Sequence, residues 1–286
     1  MTSLRIDAHH HFWDPTAFDY PWMTGAALDP IRRSFTPADL APALATDRID
    51  GTVLVQTISD VAETIGFLEL AHETPFVLGV VGWVDLQDPA VGDTLDQLQE
   101  AHGSLLVGVR HQVHDEPDPR WLERDDVRRG LEIVRGHDLR YDLLVRTREL
   151  PSATAIAGSM PDQRFVLDHI AKPRVSEGWD EEWSQAIARL AARPNVSVKL
   201  SGMVTEAVWH EWNAETLRPF VERVLDLFGI ERVMFGSDWP VCLLSASSYH
   251  QVVEALQDTL AGLSESESER VFGANAAEFY GLTPRA

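Results

Sequence analysis

Residues 4–13 read LRIDAHHHFW, an apolar, strand-like start that runs directly into three histidines. An appended purification tag is one explanation for such a run, but this one has three members and continues into Phe12 and Trp13 without a Gly/Ser linker. Side chains alternate along an extended strand, so His9 and His11 point to one side and His10 to the other. We therefore expect the first and third imidazoles to meet at the end of a buried strand.

Short apolar runs of this kind recur along the chain and alternate with longer amphipathic stretches. The eight predicted strands are Leu4–Ala8, Thr52–Gln56, Phe76–Val84, Leu105–His111, Leu139–Val145, Arg164–His169, Val196–Leu200 and Arg232–Gly236. Thr36-Pro37 and Asp60 are helix-cap signals between them. The strands are rich in Val, Ile, Leu and Phe without strict alternation, which indicates a parallel sheet covered on both faces.

Eight βα units in 286 residues are compatible with a closed barrel or with a doubly wound open sheet. No G-x-G-x-x-G turn follows an early strand, and polar residues end too many different strands for a single open-sheet crevice. No linker-like segment divides the chain. The sequence therefore predicts an α/β protein, a (β/α)8 TIM barrel, as one domain over residues 1–286.

The charge balance and cysteine content limit the class of partner. The chain has 45 acidic and 24 basic residues, a formal charge of −21, which argues against nucleic-acid or anionic-membrane partners. Cys242 is the only cysteine, so no disulfide can form within the chain, and we expect it to be a buried thiol. With no signal peptide and no apolar run of about 20 residues, we expect a cytoplasmic monomer or homodimer.

Polar and ionisable residues stand at the carboxyl ends of the predicted strands, which in a barrel share one mouth. They are His9 and His11, Gln56, Arg110 and His111, His169, Lys199, and Asp238. Such groups need partners, a ligand or a watery pocket, because burying them alone is costly. The segment from Asp14 to Pro37 would lie over this mouth as a lid.

Four of these residues form a donor set suited to zinc or a similar divalent ion: His9, His11, His169 and Asp238. The alternative is that H-x-H is simply a hydrogen-bonded pair at a strand end. Lys199 likewise has two interpretations, a substrate contact or an internal salt bridge.

Several motifs carry a resemblance to a known family. In chain order they are DAHHHFWDP, GVRHQ, VLDHIAKP, VSVKLSG, VMFGSDWPV and VFGANAAEFYGL. Together they resemble the amidohydrolase-2 branch of the amidohydrolase superfamily, in particular the sugar-lactone hydrolases of the L-fucono- and L-rhamnonolactonase kind. The resemblance covers essentially the whole chain. It implies a distorted barrel of the amidohydrolase type, with a site made from the first H-x-H, the strand-six histidine and the strand-eight aspartate.

The chain departs from the binuclear pattern of that superfamily in two places. Arg110 stands where a bridging, carbamylated lysine is expected, and strand five, RYDLLV, ends without a histidine. A two-metal site is therefore not expected. The resemblance leaves one divalent ion, such as zinc, or no metal at all.

The predicted reaction is the hydrolysis of a small sugar-acid lactone, a step of carbohydrate metabolism. Asp238 deprotonates water, while His169 and Arg110 or a metal ion stabilise the oxyanion. The predicted substrate contacts are Gln56, Arg110, Lys199, Trp13, Trp22 and Trp239. Two rivals are a metal-dependent decarboxylase of a small aromatic acid on the same fold and a non-catalytic barrel that only binds a ligand.

Overall fold

Eight parallel strands form the centre of the protein, whose computed structural model describes residues 4–285. They are β1 (Ile6–His10), β2 (Gly51–Val55), β3 (Val77–Gly82), β4 (Leu106–His111), β5 (Arg140–Leu143), β6 (Phe165–Leu167), β7 (Val196–Leu200) and β8 (Val233–Phe235). Each strand pairs with its neighbours in chain order, from β1 to β8. The predicted α/β class and strand number are confirmed.

The sheet closes where β1 meets the segment that follows β8. The amide of Asp238 donates to the carbonyl of His9 at 2.8 Å, and the amide of His11 donates to the carbonyl of Trp239 at 2.7 Å. Closure removes both free edges of the sheet. The protein is therefore a distorted (β/α)8 barrel and not an open, doubly wound sheet.

Helices surround the barrel. They are α1 (Pro37–Asp47), α2 (Val61–Glu73), α3 (Val91–His102), α4 (Asp125–Gly136), α5 (Leu150–Ser159), α6 (Glu181–Ala191), α7 (Met203–Glu206), α8 (Ala214–Phe228), α9 (Tyr249–Thr259), α10 (Glu265–Glu269) and α11 (Asn275–Tyr280). Thr36 forms a capping box with Asp39, and Asp60 accepts from the amide of Ala62. Both predicted caps are confirmed.

Helix α11 covers the amino-terminal end of the barrel, opposite the mouth. Arg140, at the start of β5, donates to the carbonyl of Phe279 at 2.7 Å. Arg164, just before β6, donates to the carbonyl of Glu278 at 3.2 Å. A buried apolar cluster joins Phe279 and Tyr280 to strand residues inside the barrel. The last helix therefore forms the floor of the barrel interior.

The strand bounds differ from the predicted ones mainly at the ends. Strand β1 runs to His10 instead of Ala8, and β6 stops at Leu167, so His169 lies in the turn beyond it.

Cys242 is buried and free, as predicted. Residues 1–3 and 286 of the predicted 1–286 domain lie outside the described part. Within residues 4–285 no helix has the length and apolar character needed to cross a bilayer.

Candidate active site

A β-bulge in β1 turns His9 toward the barrel interior. Asp7 pairs with Thr52 and His10 pairs with Leu54, so three steps along β1 match two along β2. The extra residue changes the alternation of side chains, as bulges beside active sites do. His10 consequently faces outward, with Nε2 2.8 Å from Thr52 Oγ1, whereas the imidazole of His9 is buried in the barrel.

The ring nitrogens of His9 and His11 face each other at the carboxyl end of β1, with their Nε2 atoms 3.2 Å apart. Nδ1 of His11 donates to the carbonyl of Val55 at 2.7 Å, so a His11 ring with a single proton has its lone pair on Nε2. The guanidinium of Arg110, which can only donate, lies 3.3 Å from Nε2 of His9. A lone pair on Nε2 of His9 would accept a hydrogen bond from this guanidinium.

Asp238 adds a carboxylate to these two lone pairs. Its Oδ1 lies 3.3 Å from Nε2 of His11 and 3.8 Å from Nε2 of His9. Burial would raise the pKa of Asp238, but the neighbouring His169 and His11 outweigh it and lower the pKa. Three acceptor atoms thus converge around an ionised carboxylate, which is the donor set that a divalent cation fits.

His169 completes the cluster from the turn after β6. Its Nδ1 lies 2.9 Å from Ser201 Oγ, and its Nε2 lies 4.0 Å from Asp238 Oδ1. Burial lowers the pKa of His169, although the charge of Asp238 opposes that effect. The ring is therefore neutral near pH 7 and can act as a hydrogen-bond donor or a ligand.

The turn that carries His169 has an unusual backbone. Residues His169, Ile170, Ala171 and Lys172 all have positive φ, between 47° and 62°. This left-handed conformation costs about 1–3 kcal/mol for each non-glycine residue and is found mainly at functional sites. Two hydrogen bonds hold it: Trp183 Nε1 donates to the carbonyl of Ile170 at 2.6 Å, and the amide of Lys172 to that of His169 at 2.7 Å.

Gly202 provides the space for the imidazole of His169. Its φ is +62°, and a Cβ atom added there would lie 2.5 Å from Nδ1 of that ring. Gly202→Ala should therefore displace His169 and lower kcat by about 10²-fold, the usual effect of a 1 Å misplacement, with the circular dichroism spectrum unchanged.

The matched control for that change is Gly103→Ala. Gly103 also has positive φ, but in the described part of the chain no atom lies within 4 Å of an added Cβ there. It should lower stability through backbone strain and leave kcat close to wild type. Equal kcat for the two variants would show that His169 needs no such room.

A balanced set of buried charges lies beneath the cluster. Arg110 donates to Asp168 Oδ2 at 3.0 Å, and Nζ of Lys199 lies 3.0 Å from Asp168 Oδ1 and 2.5 Å from Asp142 Oδ2. Nδ1 of His9 lies 3.3 Å from Asp168 Oδ1. Burial would raise the pKa of Asp168, but Lys199, His9 and Arg110 hold it well below its usual value. Two carboxylates thus face two fixed cations.

A cavity of about 200 Å³ opens above the cluster at the mouth of the barrel. It is lined by His11, Trp22, Thr57, Arg110, Gln112, His114, Asp115, Leu144, His169, Lys172, Asp238 and Val241. Trp22 comes from the predicted lid segment and contributes one wall. Lys172 also reaches this cavity and pairs with Glu206 at 2.6 Å.

The structure brings together some of the predicted site residues and separates others. His11, Arg110, His169 and Asp238 line the cavity with Trp22, and His9 lies directly below them. Four predicted substrate contacts do not line it: Gln56, Lys199, Trp13 and Trp239. Trp13 donates to the carbonyls of Ile31 and Arg33, and Trp239 packs on Phe12 and Phe35.

Gln56 and Lys199 are both enclosed by protein partners. The amide of Gln56 donates to the carbonyl of Arg110 at 3.2 Å, and Lys199 has the internal ion pairs described above. For Lys199, the placement matches the salt-bridge interpretation. Its side chain has no exposed surface.

Sequence reasoning overlooked Asp168 and Asp142, which hold the two cations. Asp168 directly precedes His169 in the VLDHIAKP motif, and Asp142 interrupts the apolar run of strand five. A carboxylate within an apolar strand was the available signal, the same one that singled out Lys199.

Comparison with known proteins identifies the family. A family model described as amidohydrolase matches residues 6–282. The chain belongs to the amidohydrolase family. Two curated relatives named L-fucono-1,5-lactonase, from Burkholderia multivorans and Burkholderia ambifaria, are each 38 % identical to it. The matches cover 99 % and 97 % of this chain and 97 % and 96 % of those relatives.

A solved structure of another amidohydrolase shows the same architecture. The crystal structure of a Burkholderia multivorans amidohydrolase with bound zinc superposes with a TM-score of 0.92 at 38 % identity. The match covers 98 % of this chain and 100 % of that one.

Proposed function

We propose that this amidohydrolase opens the ring of a sugar-acid lactone, such as L-fucono-1,5-lactone, by adding water to its carbonyl carbon. The observation that carries the proposal is the ionised carboxylate of Asp238, which faces three histidines at the floor of a small cavity. Near-full-length identity of 38 % to two L-fucono-1,5-lactonases supports the choice of substrate class.

Asp238 is positioned to act first as a base and then as an acid. It accepts a proton from a water molecule in the cavity while the water oxygen bonds to the lactone carbonyl carbon. The bond between that carbon and the ring oxygen then breaks, and Asp238 returns the proton to the leaving oxygen. The product is an open hydroxy acid, and no other reactant is required.

His169 and Arg110 are placed to stabilise the negative charge that develops on the carbonyl oxygen. Both line the cavity beside Asp238, and each offers N–H donors in a largely buried setting where such bonds are strong. Arg110 is held by Asp168 and by the carbonyl of Gln56. Its orientation is therefore fixed before the substrate binds.

The converging atoms of His9, His11 and Asp238 would hold one divalent ion, which we propose to be zinc. When bound, such an ion would polarise the lactone carbonyl and lower the pKa of water. Arg110 lies against the far side of the cluster, next to His9. Its positive charge disfavours a second ion there.

The cavity walls suit a small neutral ligand. Trp22, Leu144 and Val241 supply apolar surface, and Thr57, Gln112 and His114 supply polar groups among the lining residues. A lactone with several hydroxyls and a short carbon chain presents both kinds of surface. The product is an anion, and the charge of −21 on the protein favours its departure.

A titration assay at constant pH tests this function. With a panel of sugar lactones, we expect release of one proton for each ring opened above the spontaneous rate. Failure on every lactone, with bicarbonate released from an aromatic acid, would instead identify the decarboxylase. Failure on both classes would favour a non-catalytic barrel.

The same preparation tests the ion. Calorimetric titration of the chelator-treated protein with zinc should show one site per chain, and His11→Asn should weaken it at least about tenfold, as loss of a ligand does. A stoichiometry of two, or an unchanged affinity in the variant, would contradict the proposed ligand set. Comparing lactone turnover before and after chelation then measures how much of the rate depends on the ion.

A further inference from the structure

A chain of buried polar groups runs along the barrel axis from its floor to the active site. The hydroxyl of Tyr280, on α11, donates a hydrogen bond to Asp142 Oδ2 at 2.8 Å. Asp142 Oδ2 accepts from Lys199 at 2.5 Å, Lys199 lies 3.0 Å from Asp168, and Asp168 lies 3.3 Å from Nδ1 of His9.

The lower members of this chain make no contact with the cavity. Neither Tyr280, Asp142 nor Lys199 is among the residues that line it, and the side chains of Asp142 and Lys199 have no exposed surface. Burying an ion pair costs desolvation energy that apolar residues of similar volume would not cost. Four charges in the middle of a barrel therefore need a reason other than stability.

The upper end of this row of buried groups supplies that reason, since Asp168 faces Nδ1 of His9 at 3.3 Å and can influence which ring nitrogen carries the proton. Arg110 has only donors, and it faces Nε2 of His9 at 3.3 Å. Nδ1 of His9 faces Asp168 Oδ1 at 3.3 Å and Nζ of Lys199 at 3.2 Å. Asp168 Oδ1 accepts no hydrogen bond from another described residue, so a proton on Nδ1 is the arrangement in which Asp168 bonds to the ring. Partners of this kind fix the orientation and tautomer of a histidine whose other nitrogen serves a site.

We propose that Tyr280, Asp142 and Lys199 are positioning residues that hold Asp168 against His9 and so keep Nε2 of His9 directed at the active site. Without the hydroxyl of Tyr280, Asp142 has one partner fewer and draws Lys199 downward. Asp168 then loses part of its hold on Nδ1 of His9. The inference rests on the proposed function only in its activity readout.

The Tyr280→Phe variant tests this proposal, because it removes only the hydroxyl oxygen that bonds to Asp142. We expect kcat for the lactone to fall about tenfold with KM within twofold of wild type, and zinc affinity to fall about tenfold, the lower range for loss of an outer partner. Nitrogen-15 NMR of the histidine rings should show His9 protonated on Nδ1 in the wild type and as a mixture of tautomers in the variant.

The matched control is Tyr141→Phe. Tyr141 is also buried and is adjacent to Asp142 in sequence, but its hydroxyl has no hydrogen-bond partner among the described residues. The control should therefore leave kcat, zinc affinity and the tautomer of His9 unchanged. If Tyr280 had a purely structural role, the Tyr280→Phe variant would melt at a lower temperature, but its kcat, zinc affinity and His9 tautomer would match those of the wild type. That result would overturn the proposal.

Two further measurements decide the matter if Tyr280→Phe does not fold. Asp142→Asn keeps the size of the side chain and should also lower zinc affinity and mix the tautomers of His9. An unchanged zinc affinity and a single His9 tautomer in this variant would contradict the proposal. In the wild type alone, a His9 proton on Nε2 would overturn it. Because NMR and calorimetry need no substrate, they separate this inference from a failure of the proposed lactonase activity.

Discussion

Asp238→Asn should lower kcat for lactone hydrolysis by about 10²–10⁴-fold, the range for loss of a positioned acid or base. The amide has nearly the shape of the carboxylate but cannot accept the proton of water. It also removes the negative charge that lies 3.3 Å from His11 and 4.0 Å from His169. Steady-state kinetics at constant pH measure the effect, and KM should change much less than kcat.

Asp60→Asn is the control for this change. Asp60 is a carboxylate at the start of α2 whose role is to cap that helix, and asparagine caps a helix equally well. We expect wild-type kcat and stability for this variant. A fall of less than about tenfold in Asp238→Asn would assign the base to another group in the cavity.

Lys199→Met should lower the free energy of unfolding by about 3–5 kcal/mol, the usual cost of removing one partner of a buried ion pair. Methionine fills a similar volume but leaves Asp142 and Asp168 in the barrel interior with less positive charge. Arg110 still faces Asp168. For Asp142, the remaining side-chain partner within residues 4–285 is the hydroxyl of Tyr280. Urea unfolding followed by tryptophan fluorescence measures the loss.

The other lysine of the chain provides the comparison. Lys172→Met removes a cation from the cavity wall, where Glu206 retains Arg146 at 3.5 Å. We expect a loss of about 1 kcal/mol or less, as for ion pairs with access to solvent. Equal losses in the two variants would mean that enclosure of Lys199 adds nothing to its contribution.

The barrel and most of its site could be predicted because the signals are local. Each strand is an apolar run, and each ends at a polar residue that the closed sheet brings to one mouth. His9, His11, His169 and Asp238 meet there for this reason, although Asp238 is 229 residues beyond His9 in the numbering of the chain. The strand order and the closure of the sheet bring these four side chains together.

The placement of Lys199 and of the tryptophans could not be predicted in the same way. The partners of Lys199 lie on β5 and beyond β6, and nothing in its own motif distinguishes a buried ion pair from a ligand contact. Trp13 and Trp239 flank site residues in sequence, yet each is occupied by carbonyls or aromatic rings from the segment after β1. Proximity in sequence overstated their access to the cavity.

The turn after β6 runs against local preference altogether. Ile170 is β-branched and would not be predicted with positive φ, but it is fully enclosed and its carbonyl is held by Trp183. Tertiary contacts thus impose a backbone conformation that the residues themselves disfavour. A pattern-based reading of VLDHIAKP extends the strand to His169 for this reason.

The join between the first strand and the segment after the last one has a consequence for how the protein matures. His11 is synthesised 227 residues before Asp238, and the backbone bonds that close the ring are the ones that unite them. A half-built barrel can therefore contain every histidine of the site and still have no carboxylate to complete it. Chemical competence arises only when the sheet becomes circular.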